Sequence, residues 1–133
     1  MNRSSLVPAA LSFSLLAFLA LGCKDDGVTV TDYVMRVDSM AVPAKLTDPD
    51  ILLIRVYTSL PSGCHSYHRT EVTVDRQHIE LRLWGRRSSG ICTQEFRILE
   101  REYRVDSFEL GYFKIIVKQP DGTSLEDSVY IDK

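Results

Sequence analysis

Two short β patterns with a cysteine beyond each outer end restrict this chain more than any other feature. Within Cys64–Cys92, Thr70–Val74 and His78–Trp84 flank the polar turn Asp75-Arg76-Gln77. Val72 and Val74 alternate with polar residues on the first arm, and Ile79, Leu81 and Leu83 alternate on the second, the period of a half-buried strand. With Arg76 and Gln77 at the tip, residues whose numbers sum to about 153 face one another. Cys64 then faces residue 89, three short of Cys92. The loop Gly85–Gly90, with a glycine at each end, can absorb that slip. A disulfide across the open end of the hairpin is the expected use of Cys64 and Cys92.

The N-terminus carries a different signal. Arg3 precedes an apolar run from Leu6 to Leu21. Its core, Ala9–Leu21, is shorter than the roughly 20 residues of a membrane-spanning helix and suits a secretory signal. The run ends Leu19-Ala20-Leu21-Gly22-Cys23, followed by Lys24-Asp25-Asp26. This resembles the lipobox of bacterial lipoproteins, with small Gly22 before the cysteine and Ala20 where leucine is usual. The resemblance implies cleavage before Cys23, lipidation of its sulfur and residence in the bacterial cell envelope. Lys24, where an aspartate would favour the inner membrane, implies the outer membrane in a Gram-negative cell. The expected division is a signal peptide over 1–22, the lipidated cysteine and a short tether over 23–30, and one domain over 31–133. An ordinary secretory signal with an incidental cysteine is the alternative.

Lipidation of Cys23 resolves the odd count of 3 cysteines. Cys64 and Cys92 remain as a pair in an oxidising compartment.

The rest of the chain reads as strands. Val28–Met40 suggests one or two, and Pro43 and Thr47-Asp48-Pro49-Asp50 separate them from Ile51–Ser59. Leu60–His68 reads as a loop. Phe96 and Ile98 open a strand expected to end near Leu99, although Ile98–Glu102 also suits a helical turn. Tyr112–Lys118 and Thr123–Ile131 follow, joined by the turn Pro120-Asp121-Gly122. About seven short strands without a convincing helix predict an all-β, antiparallel sandwich of immunoglobulin-like type, with an up-and-down barrel as the alternative.

Leu110-Gly111-Tyr112 resembles a tyrosine corner. It also resembles the Leu-Pro-Gly-x-Tyr signature of small bacterial lipoproteins with immunoglobulin-like domains, without the proline. The resemblance covers roughly residues 55–131 and implies that the Tyr112 hydroxyl bonds backbone near Asp106–Phe108. It brings a fold and no activity.

A net charge of −2 gives no general reason to bind nucleic acid. Cys64, His65, His68 and Cys92 form a conceivable zinc set, but adjacent side chains such as Cys64 and His65 diverge on an extended chain. The expectation is therefore no metal and no other cofactor. No Gly-x-Ser-x-Gly occurs, and the three histidines have only Asp75 as a nearby carboxylate, so a non-enzyme is expected. Glu100 and Glu102 read as a solvated face.

The remaining constellation is basic. His65, His68, Arg69, Arg86 and Arg87 flank the hairpin at its cysteine end, with Lys118–Gly122 expected nearby. Arginines among hydroxyls suit carboxylate or phosphate. Plain solvated charge is the bland alternative. The functional expectation is a membrane-anchored, non-catalytic protein with a binding or structural role, whose partner is an envelope protein or an anionic ligand. A protease inhibitor and an unrecognised hydrolase are the alternatives.

Overall fold

The computed structural model describes residues 27–46, 51–106 and 109–132. The signal segment and Cys23 lie outside the described residues. Among the described residues, nine strands form a two-sheet sandwich: β1 Val30–Val34, β2 Ser39–Ala41, β3 Lys45–Leu46, β4 Leu52–Leu60, β5 His65–Val74, β6 His78–Ser88, β7 Arg97–Val105, β8 Gly111–Lys118 and β9 Ser124–Ile131. The all-β sandwich is thus as expected; the region read as one or two strands holds β1 and β2, and the short β3 follows Pro43 in the stretch read as a separator.

One sheet is β2-β4-β7. The other runs β1-β6-β8-β9-β3, with β5 on the second edge of β6. β1 and β8 share the opposite edge of β6: β1 pairs with Trp84–Ser88 and β8 with His78–Leu81. The β6–β8 and β3–β9 pairs are parallel, and the others are antiparallel.

Alternation explains which faces meet. Ile79, Leu81 and Leu83 of β6 point inward, as do Phe113, Ile115 and Val117 of β8 and Val129 and Ile131 of β9. Leu52, Ile54, Val56 and Leu60 of β4 close on them from the other sheet. Burying one such side chain contributes about 1.5–3 kcal/mol. The buried Thr58 hydroxyl donates to the Arg36 carbonyl at 2.5 Å, which satisfies it. Gln119 acts as a short extra rung: its amide donates to the Val37 carbonyl at 2.9 Å and accepts from the Val37 N–H at 3.0 Å.

Three local expectations are corrected. The segments Leu60–His68 and Gly85–Gly90 are not wholly loops, because the hairpin continues to His65 and Ser88. β7 does not turn near Leu99 but pairs with β4 along its whole length. Arg55 holds the Glu102 carboxylate across that pair at 3.1 Å, with Glu100 at 3.8 Å. The charges that suggested a helical turn are therefore partly cross-strand ion pairs. Finally, Tyr112 is 71% exposed and its ring lies on Tyr130, 4.7 Å between centroids. A side chain so exposed is not buried as a tyrosine corner requires; residues 107–108, part of its expected backbone partner, lie outside the described residues. The Pro120-Asp121-Gly122 turn is present, with Gly122 at φ +84°, a value that suits glycine.

Candidate functional site

The site is built on the open end of the β5–β6 hairpin. From Val74↔Ile79 to Arg69↔Trp84 the paired residue numbers sum to 153. A bulge between Tyr67 and Arg69 then shifts the register, so that His65 faces Arg87 and Ser66 faces Arg86. The Ser88 N–H bonds the Cys64 carbonyl at 3.0 Å, and the chain from Ser89 onward turns back to reach the bridge. Cys64 and Cys92 form the disulfide, with 5.1 Å between their α-carbons. The two sulfurs are therefore not available as thiolate ligands, and the zinc alternative falls.

The five basic positions lie on two opposite faces. On the outer face, His68, Arg69 and Arg86 converge on Asp32 of β1. Arg86 Nε donates to Asp32 Oδ1 at 3.1 Å, Arg69 Nη1 lies 3.5 Å from Oδ2, and His68 Nε2 lies 3.9 Å from Oδ2. Arg86 Nη2 also contacts His68 Nε2 at 3.0 Å. The Arg86 bond, ahead of the charges around it, holds the Asp32 carboxyl below its ordinary range. Arg69 is engaged twice more, with Glu71 at 3.3 Å and over the Trp84 ring at 4.9 Å. The buried Trp84 N–H falls short of full hydrogen-bond geometry, but its nearness to the Glu71 carboxylate, ahead of Arg69, holds that carboxyl below its ordinary range. Trp84 thus packs under the Arg69 guanidinium.

The inner face is different. Thr31 of β1, Arg87 of β6 and His65 of β5 form one cross-strand row. With Thr29, Tyr33, Ser88 and Ser89 they line a cleft of about 500 Å³. His65 Nδ1 is 2.7 Å from the Ser62 hydroxyl, and its ring meets the edge of Tyr33 at 5.8 Å. Burial raises the Tyr33 pKa, so its hydroxyl stays protonated and able to donate. Arg97 Nη2 donates to the His65 carbonyl at 3.3 Å, a contact from β7 that steadies the start of β5. Gly85 lets Tyr33 lie close against β6: a β-carbon there would stand 2.7 Å from the Tyr33 ring and 2.9 Å from Met35.

Arg87 is exposed and, among the described residues, takes part in no ion pair shorter than 4.0 Å. A guanidinium among hydroxyls and an imidazole can take a carboxylate or a phosphate. The structure therefore brings His65 and Arg87 together in one cleft and sets His68, Arg69 and Arg86 apart as a paired outer cluster. The turn expected nearby does not join either group: Lys118 pairs with Glu80 at 3.6 Å and Asp121 with Arg36 at 3.9 Å. Asp32, Tyr33 and Thr31 were not anticipated as site residues. The only sequence signal for them is the alternation of Val28–Tyr33, which predicts a strand but not its partner.

No curated protein and no solved structure matches the chain. The family model of the ORF11 beta-sandwich domain matches residues 54–131, from within β4 to the last residue of β9. That span takes in the disulfide and all five basic positions and leaves out β1, β2 and β3. The chain belongs to the ORF11 beta-sandwich domain family.

Proposed function

We propose that the chain is a bacterial envelope lipoprotein, anchored through Cys23, that binds an anionic ligand without catalysis. The observation that carries the binding half is the cleft beside the disulfide, where Arg87 has no ion-pair partner among the described residues and faces hydroxyls and His65. A strapped loop loses little further freedom when a ligand docks, which favours recognition at this end. The anchoring half is supported by the sequence Leu19–Lys24 and by its likeness to a lipobox. Lipidation fastens a protein durably when more than one acyl chain is attached. Lys24 favours the outer membrane where the envelope has two.

Two measurements test the halves separately. Titrating the isotopically labelled chain with inorganic phosphate, and separately with acetate, is expected to move the resonances of Thr31, His65, Arg87 and Ser88. Arg87→Ala is expected to remove most of that response with little change in Tm, because the side chain is exposed. An equal response in the variant overturns the cleft as the ligand site. For the anchor, Cys23→Ser is expected to leave an unprocessed or soluble product. Normal membrane partition of that variant, with an unmodified N-terminus, rules out lipidation at Cys23.

A further inference from the structure

The first described residues, Gly27–Val30, lie at the disulfide end of the domain. β1 is antiparallel to β6 with Val30 opposite Ser88, so the chain before Val30 runs alongside Ser89–Ile91. Thr29 and Ser89 exchange two hydrogen bonds, at 2.9 and 3.0 Å. Gly27 and Val28 share a surface hollow with Gly90 and Ile91. Cys23 stands four residues before Gly27 in the sequence. Four residues reach at most about 14 Å, whatever their conformation. The hairpin turn at Asp75–Gln77 lies beyond the other end of β6, whose 11 residues span roughly 36 Å.

The same end exposes large apolar side chains among its polar ones. Val28 is 61% exposed, Ile91 107% and Phe96 67%. Single exposed apolar side chains are ordinary, but Val28 and Ile91 share one hollow, and Phe96 follows the bridged Cys92 by four residues, just before β7. Arg87 near the end of β6 and Arg97 at the start of β7 flank the loop that carries Ile91 and Phe96, with Glu95 the acidic residue of that loop. Exposed apolar side chains on a loop flanked by arginines suit a bilayer surface, where hydrocarbon lies next to phosphates.

We propose that this end of the domain rests in the bilayer that holds Cys23, with Val28, Ile91 and Phe96 at the hydrocarbon boundary and Arg87 and Arg97 among the lipid phosphates. The inference rests on the lipid-anchor reading and adds an orientation to it. The cleft then opens at the membrane surface, and its anion is a lipid phosphate or a ligand held close to one.

Tryptophan quenching in vesicles tests this. The full lipidated chain is reconstituted into phosphatidylcholine and phosphatidylglycerol vesicles carrying bromine on their acyl chains. In a Trp84→Phe background, Ile91→Trp reports on the disulfide loop and Arg76→Trp on the opposite tip. Both positions are exposed, so neither substitution disturbs the core. The expected result is strong loss of emission at position 91 and none at position 76. A vesicle-bound chain with neither position quenched, or with both quenched alike, overturns the orientation and leaves the anchor standing. A chain that does not sediment with the vesicles overturns both.

Discussion

Loss of the Cys64–Cys92 bridge is expected to cost about 3–4 kcal/mol in the chain-entropy account of a loop of this length. The bond joins positions separated by 28 residues. Its loss frees Ser89–Phe96, which is held otherwise by a few contacts such as the Gly63 N–H to the Thr93 carbonyl at 2.9 Å. For a domain of about 100 residues this corresponds to a fall in Tm of more than about 10 °C. The comparison is best made as Cys64→Ser with Cys92→Ser in a Cys23→Ser background, so that no other thiol intervenes. Thermal scans with and without reductant provide the parallel measurement. Equal Tm values in both comparisons would show that the bridge closes nothing that unfolding opens. The effect on function follows the same route: Ser88 and Ser89 line the cleft and lead into the bridged segment, so the bridge-free variant is expected to bind anions more weakly even where it is folded.

The hairpin was legible because two independent constraints agree on it. Its apolar period fixes which face is inward, and its polar turn fixes the register, so the predicted sum of 153 holds from Val74 to Arg69. The bulge beside His68 was not legible, because nothing local distinguishes it from an ordinary strand residue. The pairing of β1 with β6 was not legible either. Both segments alternate correctly, yet alternation says nothing about which strand lies beside which. That omission reversed part of the electrostatic reading. Arg69 and Arg86 looked like free positive charge because Asp32, 54 positions from Arg86, is brought beside them only by β1. The ambiguity of Ile98–Glu102 has the same origin: its charges satisfy a helical spacing locally, and pairing with β4 decides the outcome. The lipobox-like pattern Leu19–Cys23 is a reading of local sequence that involves no partner strand, and it lies outside the described residues.

Adjacent aromatic residues on β8 give the sharpest test of the sandwich. Phe113 is 1% exposed and packs in the core, whereas Tyr112, one residue earlier, is 71% exposed. Phe113→Ala is expected to cost about 3–5 kcal/mol, a lost transfer free energy plus the cavity left behind. Tyr112→Ala removes a tilted ring contact with Tyr130 and is expected to cost about 1 kcal/mol or less. The urea midpoint should therefore fall far more for Phe113 than for its neighbour. Phe113→Leu, which leaves a smaller defect, keeps the measurement possible if the alanine variant does not fold. The contrast is set by register: Phe113 lies opposite Val129 and Tyr112 opposite Tyr130, so a slip of one residue would exchange their faces. Comparable losses at the two positions, or a larger loss at Tyr112, would mean that Tyr112 is held inside as a tyrosine corner would hold it. They would place β8 in a different register from the one that brings Ile115 and Val117 against β4.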